Sequence, residues 1–114
     1  MDEKGFTLLE QSILDWIARK TSDSALRSQI ENAVPIHREY TGVGWLVDIE
    51  VPEPRTRLEA NVKNPIDGPC IRSPQIEHRG GSIVFHEHGV ITLLELYSYG
   101  DRFEKELIRY ELYD

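Results

Sequence analysis

The sequence predicts an α+β protein in which an N-terminal helical hairpin packs on an antiparallel sheet of about five or six strands. Apolar residues recur at helical spacing up to about residue 32, the period changes to two from Val34 onward, and glycine-bearing turns punctuate the second half. With 114 residues the chain is one domain's worth, 1–114. Leu, Ile, Val and Phe supply 32 of them, above the roughly 20% below which disorder is the better expectation, so a core can form.

Thr7 followed three residues later by Glu10 reads as a capping box, opening a helix over about 7–20. Leu9, Ile13, Trp16 and Ile17 form its apolar stripe, and Arg19 and Lys20 suit its negative end. A second helix spans about 22–32, capped by Ser22 or Ser24, with Leu26, Ile30 and Ala33 inward. A strand over about 34–40 alternates Val34, Ile36 and Arg38 with Pro35, His37 and Glu39. Thr41-Gly42-Val43-Gly44 turns it, the glycines supplying positive φ, into a strand over about 44–51. There Trp45, Val47, Ile49 and Val51 face the helices, with Trp45 as the anchor.

Residues 52–70 carry Pro52, Pro54, Pro65 and Pro69 and read as a long loop, since proline lacks the amide a ladder needs. Beyond it a strand at about 74–78 turns through Arg79-Gly80-Gly81-Ser82 into one at 82–87, which turns at His88-Gly89 into one at 90–99. Pairing about those turns puts Ile83, Phe85, Val90, Thr92, Leu94 and Leu96 on one face. Val84, His86, Ile91, Leu93, Glu95, Tyr97 and Tyr99 fall on the other. Both faces are largely apolar, so the long loop or another subunit is expected to cover the second. The chain closes with a strand at about 106–113, against a rival helix from 101 to 110.

A formal charge of −7 repels phosphate backbones and anionic lipid, which argues against nucleic acid and membrane surfaces as partners. Only residues 52–81 are basic on balance, and Arg55, Arg57, Lys63, Arg72 and Arg79 match no helix face or basic motif there. One cysteine, Cys70, cannot form an intrachain disulfide, which fits a cytoplasmic protein. The N-terminal stretch has acids before its apolar run and no small-residue cleavage site, and no segment reaches the ~18 apolar residues of a membrane span.

No catalytic residue, metal site or cofactor is assigned. His86-Glu87-His88 sits at a hairpin bend where the imidazoles do not share a face, and Cys70 has no evident base. Glu95 stands out, because an unpaired carboxylate inside Ile91-Thr92-Leu93-Leu94-Glu95-Leu96-Tyr97 is costly. Either Arg38 or Arg109 neutralises it in a buried pair, or it is the polar spot of a tyrosine-lined groove with Ser82 opposite. The candidate binding residues are therefore Glu95, Tyr97, Tyr99, Arg38 and His86.

The runs Leu26 to Glu31 and Arg38-Glu39-Tyr40-Thr41-Gly42-Val43-Gly44-Trp45 are followed by Gly80-Gly81, Phe85 and Gly89. With Leu94-Glu95-Leu96-Tyr97-Ser98-Tyr99-Gly100-Asp101, they resemble a group of small bacterial α+β proteins with no assigned activity. The resemblance covers residues 26–101 and implies architecture without chemistry. The function expected from composition is a non-enzymatic protein-binding module, immunity- or antitoxin-like, since acidic domains with exposed aromatics suit basic partners. A small-molecule binder or enzyme with a pocket between sheet and long loop is the alternative, and a homodimer through the doubly apolar strand is compatible with either.

Overall fold

The computed structural model describes residues 4–53 and 55–114; Pro54 of the long loop and the acids Asp2 and Glu3 lie outside them. Helix α1 spans Leu8–Lys20 and α2 Ser24–Asn32. The strands are β1 Val34–Tyr40, β2 Gly44–Glu50, β3 Ile66–Asp67, β4 Cys70–Arg72, β5 Gly80–Glu87, β6 Val90–Ser98 and β7 Glu111–Tyr113. They form one antiparallel sheet in the order β1-β2-β6-β5-β4-β7, with β3 also paired to β5. This is the expected α+β architecture, a helical hairpin on an antiparallel sheet.

The capping box forms in full: Glu10 N donates to Thr7 Oγ1 and Thr7 N donates to the Glu10 carboxylate. The second helix is capped by Asp23, whose carboxylate accepts from Ala25 and Leu26. A carboxylate at that position outcompetes either neighbouring serine because the bond is charge-assisted.

Three elements differ from expectation. Residues 74–78 form no strand, and Gly80 and Gly81 lie inside β5 instead of in a turn. The outer neighbours of β5 are β3 and β4, drawn from the proline-rich stretch, where Ile66 pairs with Val84 and Ile71 with Gly80. Residues 101–110 are neither strand nor helix, leaving only Glu111–Tyr113 as β7 beside β4. Gln75 holds that segment, its side-chain carbonyl accepting from Ile108 and Arg109 and its amide donating to Glu106 O. Phe103 plugs it into the core.

The β5–β6 register is shifted by one residue from the expected pairing. His88 (φ 53) and Gly89 (φ 77) make the two-residue turn, but Thr92 is an extra residue that opposes nothing. Beyond this bulge Glu95 pairs with Ile83 and Leu96 with Ser82, so the residues of β5 from Gly80 to Phe85 change partners while His86 and Glu87 keep theirs. Val84 therefore joins Leu94, Leu96 and Ile91 on the inner face, buried among Leu9, Ile13, Leu14, Ile17, Leu26 and Ile30 of the helices. Ile83 and Phe85 join Leu93, Glu95 and Tyr97 on the other face.

The long loop and the segment before β7 also pack on that inner side. The long loop reaches it through Leu58, buried in the core and bonded through its amide to Gly89 O. Buried Gln29 of α2 ties the layers together, donating to Thr56 O and Gly89 O and accepting from Ile91 N. Tyr40 and Trp45, also inward, donate to the Phe103 and Lys105 carbonyls. Trp45 is only half-buried, so the aromatic anchors are Phe6 and Phe103. Among the described residues no helix is long and apolar enough to cross a membrane.

Candidate functional site

The outer face of the sheet keeps its central side chains partly exposed. Its centre is an apolar strip of Leu46, Leu93, Ile83 and Phe85, each partly exposed, built from β2, β6 and β5 by the pairings Leu46–Glu95–Ile83 and Asp48–Leu93–Phe85. A half-wet antiparallel sheet ordinarily presents polar side chains outward, so an apolar strip there departs from the usual alternation.

Two acids border the strip on one side and a third lies within it. Glu39 stands beside Leu46 and Asp48 beside Leu93, while Glu95 sits between Leu46 and Ile83. His37 Nδ1 lies 3.3 Å from the Asp48 carboxylate. Glu95 makes no hydrogen bond or ion pair with another described residue and is partly exposed, so it is not the centre of a buried salt bridge.

The opposite corner is aromatic and basic. Arg72 stacks 4.4 Å from the Tyr113 ring and bonds Glu111 at 2.8 Å, while Arg79 lies 5.4 Å from the Tyr99 ring. A hydrogen bond with Tyr113 raises the Arg79 pKa further, so this guanidinium stays charged. The Tyr97 and Tyr99 rings meet edge to face with centroids 5.6 Å apart. Gly81 makes room for this: a methyl there would sit 2.6 Å from the Tyr97 hydroxyl.

Of the candidates read from sequence, Glu95, Tyr97 and Tyr99 therefore share this face. Arg38 does not. It projects from the inner face into a bidentate pair with Glu10, Nε to Oε2 at 2.9 Å and Nη2 to Oε1 at 2.6 Å. The β-bulge at Ile36 turns Arg38 inward with Val47, out of reach of Glu95. His86 sits at the far end of β5, its Nε2 3.1 Å from Lys63 O. Conversely, Arg72 and Arg79, which match no basic motif in the sequence, Cys70, which has no evident base there, and Tyr113 join the face, because β4–β7 pairing over some forty residues brings Cys70, Arg72 and Tyr113 together. The one readable signal was Gly80-Gly81 opposite an aromatic pair, a glycine that a tyrosine covers.

Burial, followed by the Tyr99 hydrogen bond, pushes the Tyr97 phenol up to about 12. Its folded-state value exceeds the ~10 of an unfolded tyrosine, so its contribution to stability is complete below pH 10 and disappears as pH rises through about 12. Ultraviolet titration is expected to show one tyrosinate forming later than the rest, absent in Tyr97→Phe. A Tyr97→Phe curve superimposable on the wild type would contradict this.

The face carries guanidinia, phenols and carboxylates around apolar side chains, groups that recognise a surface by hydrogen bonds and burial. Among the described residues no group of three or more His, Cys, Asp or Glu gathers with metal-binding geometry. No family of known proteins, no curated protein and no solved structure matches this chain.

Proposed function

We propose that this α+β protein is a non-enzymatic protein-binding module that docks a partner on the outer face of its sheet, in the manner of an immunity- or antitoxin-type inhibitor. The observation that carries the reading is the one-sided packing: both helices, the long loop and residues 101–110 pack on the inner face, while Leu46, Leu93, Ile83 and Phe85 stay partly exposed on the other. Desolvating such a strip drives association, and Tyr97, Tyr99, Arg72 and Arg79 are of the residue types that dominate binding hot spots. Glu39, Asp48 and Glu95, on a chain of net charge −7, suit a partner with a basic surface and speed the encounter.

The test is affinity capture from the source cell with three baits: wild type, Leu93→Arg in the strip, and Ser28→Arg on the exposed side of α2. The expected result is one basic protein held by wild type and Ser28→Arg, released by added salt and lost with Leu93→Arg. Capture unchanged by Leu93→Arg, or no protein retained, would refute the reading.

A second copy of the chain is the other occupant of this face. Charge suits it, because the acids and the Arg72–Arg79 corner lie at opposite ends of one face, and a two-fold axis parallel to the sheet between two such faces can set the basic corner of each copy against the acids of the other. Light scattering distinguishes the two: a dimeric mass that Leu93→Arg halves favours the homodimer, and a monomer favours the heterologous partner.

A further inference from the structure

The geometry points to a small-molecule site on the opposite side of the protein, taking an amphipathic ligand with an apolar body and a carboxylate head. A cavity of about 590 Å³ opens between the start of α1, the inner face of β1, β2 and β6, and residues 103–110, within the ~300–1,000 Å³ of small-molecule pockets. Leu9, Leu96 and Phe103 form its buried floor, and Trp45, Leu107 and Tyr110 are half-buried in its walls.

Two features say what it takes. Leu8 and Ile108, 73% and 79% exposed, are the two most exposed large apolar side chains among the described residues, and both border this one cavity. The outer wall is tied in place by polar bonds: Trp45 Nε1 donates to Lys105 O, Tyr40 Oη to Phe103 O, and the Gln75 carbonyl accepts from Ile108 N and Arg109 N. Phe103 seats the segment in the core, and these bonds fix the position of the wall on either side of it.

The polar end is Arg38. Its Nε and Nη2 are spent on Glu10, and Nη2 also donates to Gly5 O, but Nη1 has no hydrogen-bond partner among the described residues. The Glu10 oxygens are occupied by Arg38 and the Thr7 amide, so the carboxylate leaves the unspent edge of the guanidinium to an outside acceptor. Lys105 adds a second cation on the wall, and the positive end of α1 opens onto the same space. Glu10 and Glu106 offset the two cations of the lining, so the preference for an anion rests on the unspent Nη1 of Arg38 and the helix end.

The experiment is a titration of ¹⁵N-labelled protein with dodecanoate, and separately with dodecyltrimethylammonium, below their micelle concentrations. The expected result is saturable movement of the Trp45 indole N–H and the amides of residues 8–10 and 105–110, with dodecanoate binding at least tenfold tighter. Ile108→Glu, at an exposed rim position that leaves the fold intact, is expected to weaken dodecanoate at least tenfold. Shifts centred on Leu46, Leu93 and Phe85, equal or tighter binding of the cation, or an unaffected Ile108→Glu would each overturn the assignment. Because those probes read the inner face, the outcome is independent of partner docking on the outer one.

Discussion

Glu10→Ala is expected to lower the unfolding free energy by about 3–5 kcal/mol, the loss typical when one partner of a buried ion pair is removed. Glu10 is 2% exposed, and its carboxylate serves both the α1 capping box and the Arg38 guanidinium, whose side chain is itself only 20% exposed. Losing the cap alone is worth about 1 kcal/mol. The larger part comes from leaving a guanidinium under the helix layer without its counter-ion. Hydrogen bonding to Glu10 holds the Arg38 pKa above its ordinary value, so it cannot escape by losing its proton. Urea melts of Glu10→Ala, Arg38→Met and the pair Glu10→Met/Arg38→Met decide the point. The double variant is expected to be more stable than either single one, because it removes both charges from a site that apolar side chains can fill. Single variants within about 1 kcal/mol of wild type would show that the pair carries no such weight.

The same two residues show where the sequence speaks and where it stops. Thr7 and Glu10 were legible as a cap because that motif is local, four residues closing on themselves. The bond from Glu10 to Arg38 crosses 28 positions and depends on a bulge at Ile36 that reverses which side of β1 faces inward. A bulge leaves no mark in hydrophobic periodicity, since Ile36 reads as one more residue of an alternating strand and is in fact 59% exposed. Thr92 does the same to the β5–β6 hairpin, where the turn at His88-Gly89 was readable and the register beyond it was not. The stretch containing β3 and β4 was hidden differently. At two and three residues, interrupted by Gly68-Pro69, they are too short to show a period, and their place is fixed by pairing with β5 far along the chain. For the outer face, Glu95, Tyr97 and Tyr99 were visible as an odd polar run in a greasy strand. Whether the acid sits in a buried pair or is the polar spot of a tyrosine-lined groove stays open in the sequence, and the structure shows it partly exposed with no pair among the described residues.

Gly44→Ala is expected to cost more than about 3 kcal/mol, beyond the usual range for overpacking, although it adds a single methyl at a residue whose φ any amino acid adopts. The reason is space. A methyl on Gly44 would lie 1.8 Å from the Leu96 carbonyl oxygen and 2.9 Å from Tyr97 Cα, backbone atoms that cannot swing aside as a side chain can. The β2–β6 ladder would have to open there, and β2 carries Trp45 and Val47 toward the core and Leu46 and Asp48 toward the outer face. Gly42, two residues earlier in the same turn, is the control. It has φ +91 with nothing within 4 Å of a built methyl, so Gly42→Ala meets only the backbone penalty of the left-handed region, about 1–2 kcal/mol. The sequence suggests one role for both glycines, positive φ in a hairpin, but only Gly42 has it, and Gly44 is glycine because two strands approach too closely for anything larger. Equilibrium melts of the two alanine variants separate these causes. Equal losses would mean that the strands yield, and that the close approach at Gly44 does not fix the spacing on which both faces of the sheet depend.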